Sequence, residues 1–148
     1  GLCNYYFICI VLNFLIIGKI IMTTIIDWGK ALHHANNDLS VGIQIATLTE
    51  SEGKGTFITV IPPGSSVNAH YHTVGDEEYH IISGKGIIRL RPVDSTDEWI
   101  CKNVVAQNSF TIPANVIHQL VNDGDEPLTL LFSCPFSHLN DDRFIYKN

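Results

Sequence analysis

GSSVNAHYHTVGDEEYHIISG, running from Gly64 to Gly84, is the stretch around which the rest of this chain is organised. His70 and His72 stand two apart after a Pro62-Pro63-Gly64 turn, and a strand sends alternate side chains to one face, so both imidazoles point the same way. Glu77 follows after four loop residues, at the head of a second strand. A distant echo, QNSFTIPANVIHQLVN from Gln107 to Asn122, contributes His118 in another strand-like run. Any one of these histidines alone reads as a hydrogen-bonded core or surface residue. Three neutral imidazoles and a carboxylate converging inside a sheet make a mixed nitrogen and oxygen site suited to a divalent first-row metal.

Composition narrows the context. At 148 residues the chain is large enough for one domain with a real core, and two would be crowded. A net charge of −6 with no basic cluster excludes nucleic acid as a partner, because phosphate binding needs a concentrated positive surface. Cys3, Cys9, Cys101 and Cys134 form no CxxC pair, so neither a zinc ribbon nor a thioredoxin-like site is suggested. The apolar, strand-like neighbours of Cys101 and Cys134 predict buried, inert thiols and a reducing, cytoplasmic setting, with a disulfide between the two as the lesser alternative.

Residues 1–21, GLCNYYFICIVLNFLIIGKII, are apolar and almost uncharged, and lack the turns and alternation of everything after them. The only methionine is Met22, so the simplest account makes this segment an upstream leader outside the native domain. A membrane anchor and an extra element packed on the domain are the alternatives; no membrane partner is expected unless residues 1–21 are a genuine anchor. Residues 22–40 form an irregular N-terminal segment in which Asp27 is a candidate cap for one helical turn bearing Trp28, Ala31 and Leu32. His33 and His34 are adjacent, face different ways in any regular element, and read as solvated.

From Val41 the chain becomes a succession of short runs rich in Val, Ile, Thr and Phe, closed by SEGKG, PPG, SGKG, PVDSTD, IPAN and NDGDEP. Nine strands are predicted, with no long helix: 41–49, 55–61, 67–72, 77–83, 86–91, 98–104, 109–112, 116–121 and 128–134. Gly84-Lys85-Gly86 and Asp123-Gly124 each read as a tight hairpin. Parity places Glu77, Tyr79 and Ile81 on the inner face and Glu78, His80 and Ile82 on the outer, with Glu78 replacing Glu77 only if the loop bulges. Arg89 and Arg91 share one strand face and most simply point to water, an anion-binding role being the alternative. Asn122 is a turn residue, and residues 137–148 are a polar C-terminal tail that folds back, with His138 on the surface.

These two stretches resemble the paired motifs of the cupin superfamily. The first motif is a glycine, five residues, His-x-His, three or four residues, a glutamate, six residues and a glycine; Gly64, His70, His72, Glu77 and Gly84 match it. The second is a glycine, five residues, Pro-x-Gly, two residues, a histidine, three residues and an asparagine. Pro113, His118 and Asn122 match that pattern, whereas Gln107 and Asn115 stand where glycines belong. Asn115 is a mild change because asparagine tolerates a left-handed backbone; Gln107 is less forgiving, unless Asn108 takes the special conformation one residue later.

The resemblance implies an all-β fold, a double-stranded β-helix (jelly-roll) cupin barrel of antiparallel strands over residues 41–136. It also implies one divalent transition metal ion, Fe, Mn, Ni or Zn, held by His70, His72, Glu77 and His118. Such a site suits an enzyme acting on a small oxygen-rich metabolite by metal-assisted isomerase or lyase chemistry, or by dioxygenation. With Glu77 as a ligand, Tyr79 or a metal-bound hydroxide is left to move protons; filling the barrel is an equal role for Tyr79. A non-catalytic small-molecule binding or sensing module is the alternative. Uncovered sheet edges make a homodimer the expected assembly.

Overall fold

Strands alternating between core and solvent, interrupted by glycine, proline and Asn-Asp turns, can bury their apolar faces only by stacking one sheet on another. The computed structural model, which describes residues 23–147 together with 8, 12, 14–18 and 20, shows this arrangement. Its strands are β1 (Asn36–Asp38), β2 (Ile43–Ser51), β3 (Lys54–Ile61), β4 (His70–Tyr71), β5 (Glu77–Ser83) and β6 (Lys85–Pro92). β7 (Ile100–Val105), β8 (Ser109–Ile112), β9 (Val116–Val121), β10 (Leu128–Pro135) and β11 (Phe144–Ile145) follow. One sheet has the order β1-β2-β3-β10-β5-β8 and the other β11-β4-β9-β6-β7, with all pairings antiparallel. The nine expected strands are present, joined by the short β1 and β11. Among the described residues the two sheets face each other as a jelly roll without hydrogen-bonding into one closed barrel.

Phe57, Ile61, Tyr79, Ile81, Ile88, Leu120, Leu128 and Leu130, drawn from both sheets, are buried together between them. A smaller cluster of Ala46, Leu48 and Ile58 lies outside the sandwich, covered by Ala31 and Leu32 of the single-turn helix α1 (Trp28–His33). Asp27 caps that helix as expected, its carboxylate accepting from the Lys30 amide at 2.8 Å. Among the described residues no helix is long and apolar enough to cross a membrane. The expectation for residues 1–21 falls mostly outside the described residues, and those described there are exposed and helical.

Three expectations need correction here. Neither Gly84-Lys85-Gly86 nor Asp123-Gly124 closes a hairpin: β5 and β6 belong to different sheets, as do β9 and β10, so both turns carry the chain across the sandwich. Turn chemistry reports that the chain reverses, but not which strand lies beside which. Cys101 is exposed, because its strand β7 is an edge of the second sheet; Cys134 is buried, and both are free. Gln107 itself adopts the left-handed conformation, at φ 73°, as Asn115 does at 61°. Asn108 instead holds the loop, its side-chain oxygen accepting from the Val105 amide at 2.9 Å.

Candidate metal centre

His70 in β4 pairs with His118 in β9, which places two imidazoles side by side on the inner face of the second sheet, ring centroids 4.3 Å apart. His72 leaves the end of β4 on the same side, and Glu77 enters from the opposing sheet at the first residue of β5. All four side chains are buried, and one ligand atom from each lies within 4.8 Å of the others. The inner-face parity holds: Glu77, Tyr79 and Ile81 are buried, while Glu78 and Ile82 are exposed and His80 reaches out to Ser109.

Backbone carbonyls set the tautomers. The His70 Nδ1–H donates to the Asn68 carbonyl at 2.7 Å and that of His118 to the Val116 carbonyl at 3.0 Å, in each case two residues back. The His72 Nδ1–H donates to the carbonyl of Asp142. Every Nε2 is thereby left as a lone pair facing inward, the form a metal takes. His72 Nε2 is 3.2 Å from Glu77 Oε1, and His118 Nε2 is 3.2 Å from Glu77 Oε2. With Nδ1 carrying the proton in both rings, these contacts set lone pair against lone pair, and His72 Nε2, His118 Nε2 and Glu77 Oε2 are buried without a hydrogen-bond partner.

Buried polar atoms left unpaired are costly, and several aimed at one point are what a cation would satisfy. A cavity of about 20 Å³ borders the group, lined by His70, Glu77, Tyr79 and His138 with apolar neighbours. That is room for one water or ion rather than a metabolite. The buried His/Glu group could hold a metal ion.

Electrostatics agree with that donor set. Burial, reinforced by His118, lowers the His70 pKa to about 3, so its ring is neutral. Burial alone would raise the Glu77 carboxyl, but His118, His138 and His72 outweigh it and hold it well below the usual range as a carboxylate. The Tyr79 phenol is pushed well above its ordinary value by burial and then by Glu77, so it keeps its proton. Cys134 likewise stays a thiol, raised by burial and by Glu77.

His138 is the site residue that sequence reading missed. Expected on the surface, it is 2% exposed, its ring stacked on His72 at 3.8 Å and 2°. Its Nε2–H donates to the Val74 carbonyl at 2.6 Å, and Nδ1 lies 3.3 Å from Glu77 Oε1. Burial opposes protonation, but Glu77 and the Val74 carbonyl raise the pKa on balance and favour the imidazolium. The 3-10 turn Phe136–Leu139 brings it there, and the following segment is pinned by Asp142. That carboxylate accepts from the Thr73 amide and hydroxyl at 2.8 and 2.6 Å and from the Val74 amide at 2.9 Å. A polar tail after the last long strand carries no local signal of this docking.

The cupin domain family profile matches residues 57–134, more than half of the chain. The chain belongs to the cupin family. No curated protein sequence matches this cupin significantly. Among solved structures it is similar to the capsular polysaccharide assembling protein CapF from Staphylococcus aureus, at 23% identity and a TM-score of 0.66 over 77% of this chain and 34% of that one. A double-stranded β-helix protein from Klebsiella pneumoniae aligns over 85% of this chain and 99% of its own, at 16% identity and a TM-score of 0.62. Oxalate decarboxylase from Lactobacillus farciminis, in complex with formate, aligns over 62% of this cupin and 28% of its own chain, at 22% identity and a TM-score of 0.54. The cupin thus spans about a third of the length of CapF. At these identities the likeness establishes the fold.

Proposed function

We propose that this cupin binds one divalent transition metal through His70, His72, Glu77 and His118 and acts on a small oxygen-rich molecule. The observation that carries this reading is the set of inward, unpartnered Nε2 and carboxylate atoms, each held in ligand form by a backbone hydrogen bond or by its neighbours. The bound ion would supply Lewis acidity toward a carbonyl or hydroxyl, or oxygen chemistry if it is iron. Around it, His138 holds Glu77 and neutralises its charge, and Tyr79 is a hydrogen-bond donor rather than a base. Arg143 also lines the cavity, paired at 2.8 Å with Asp38, and offers a cation to an anionic substituent. The open edge strand β7, with Ile100 and Val105 exposed, suits a homodimer, which sedimentation would show as a single species of twice the chain mass.

One observation favours a second reading, a non-catalytic binding or sensing module: the small cavity admits only an ion or a water, and no free general base of the described residues lines it. The deciding experiment is elemental analysis of untagged protein beside His72→Ala and His118→Ala. About one equivalent of metal in the parent, lost in both folded variants, is the expected result. Full metal content in both variants would show that these residues are not the ligands.

A further inference from the structure

The groove on the outer face of the second sheet, opposite the metal centre, is far roomier than the interior. Asn68, Arg89, Trp99, Gln119, Tyr146 and Lys147 are among the residues bordering about 410 Å³ of space there, within the range of small-molecule sites. Arg89 and Arg91 occupy the outward face of β6, as parity requires, yet they are half-buried rather than solvated. The Arg89 guanidinium lies 4.6 Å from the centre of the Trp99 ring and that of Arg91 5.1 Å, so two cations share one indole. Arg91 also lies 4.9 Å from the Tyr146 ring and donates to its hydroxyl, while Arg89 Nη1 donates to Gln119 Oε1 at 2.7 Å.

Among the described residues the one arginine–carboxylate pair is Arg143 with Asp38, so neither Arg89 nor Arg91 is ion-paired with a described carboxylate. Arg91 Nε is buried without an acceptor. Like charges held together at low solvent exposure repel, and aromatic stacking offsets only part of that cost. In a chain of net charge −6, two arginines gathered on one indole are a local reversal of the overall field.

We propose that this groove is a second ligand site, distinct from the metal centre, which takes the oxyanion of a small phosphorylated or carboxylated metabolite. Arg89 is the principal contact, Lys147 at the rim adds charge, and Arg91 behind Trp99 raises the local potential. The planar guanidinium fork fits phosphate and carboxylate oxygens, and a half-dry setting strengthens such a contact. The occupant would lie on the back of the strands bearing His70 and His118: Asn68, whose carbonyl fixes His70, and Gln119, next to His118, both line the groove.

Trp99 gives the site its own reporter, since the chain has only one other tryptophan, Trp28, on α1. In a Trp28→Phe background, fluorescence is titrated with glucose 6-phosphate, glucuronate and glucose. A saturable change with either anion and none with glucose is expected, and which anion wins separates phosphate from carboxylate. Arg89→Ala should weaken binding at least tenfold and Lys147→Ala severalfold, the latter at an exposed position where folding is not in question. Anion binding should be the same before and after treatment of the parent protein with a chelator, which keeps this test independent of the metal assignment. No saturable change with either anion up to 10 mM, or equal binding by folded Arg89→Ala and by Lys147→Ala, would overturn the proposal.

Discussion

His138 shows how one side chain can tie a remote segment to the candidate metal centre. Replacing it with alanine removes the donor to the part-buried Val74 carbonyl and the group facing Glu77 Oε1, leaving the buried carboxylate oxygen unmatched on that side. His138→Ala should therefore lose about 1–3 kcal/mol of stability in urea denaturation. With Glu77 in its proposed role as a ligand, it should also lose about tenfold in metal affinity, read by competition with a chelator. An unchanged affinity would mean that Glu77 is held by the metal and strand alone. Gln107 is under local tension, since a side chain with a Cβ at φ 73° is disfavoured by roughly 1–2 kcal/mol. Gln107→Gly should raise the urea midpoint, for a gain of about 0.5–1 kcal/mol after the entropic cost of glycine, with an unaltered slope.

At the scale of elements, the turn between β5 and β6 decides which face of which sheet each strand presents. Gly84 sits there at φ 84°, and a Cβ would lie 2.5 Å from the Pro127 carbonyl oxygen and 2.9 Å from Leu128 Cα. Both obstacles are backbone of the chain entering β10, so they cannot swing aside. Gly84→Ala should cost more than about 2 kcal/mol and depress the thermal midpoint, a loss that a neutral substitution would not show. The same crossing delivers Glu77 on one sheet and His118 on the other to a common centre. Strand geometry contributes as well: for His70 and His118 the carbonyl two residues back accepts Nδ1–H, so the element that carries each imidazole also selects its tautomer.

Across the whole molecule, the proposed metal would bridge the sandwich, with three imidazoles from one sheet region and a carboxylate from the other. A ligand bound only by the folded state adds stability by mass action, about 2.7 kcal/mol at a hundred times its dissociation constant. For a domain of this size that corresponds to roughly 5–10 °C. Stripping the metal with a chelator should lower the melting temperature by about that amount, and His118→Ala should melt alike with and without chelator. A parent protein indifferent to chelation would speak against an ion in this position.

Spacing alone determined much of this protein. Period-two alternation marked the strands and their inner faces, the histidine and glutamate offsets marked four of the five buried polar groups at the centre, and Asp27 marked the helix cap. Those features depend on near neighbours along the chain, and a linear pattern records them. Only the tertiary structure decided that two apparent hairpins cross between sheets, that Cys101 lies exposed on an edge, and that Arg89 and Arg91 gather under Trp99. It alone decided that His138 joins Glu77, sixty-one residues away in the chain. Pairing between distant segments is settled by how two apolar faces and a few buried charges fit together, and no local stretch of residues carries that information.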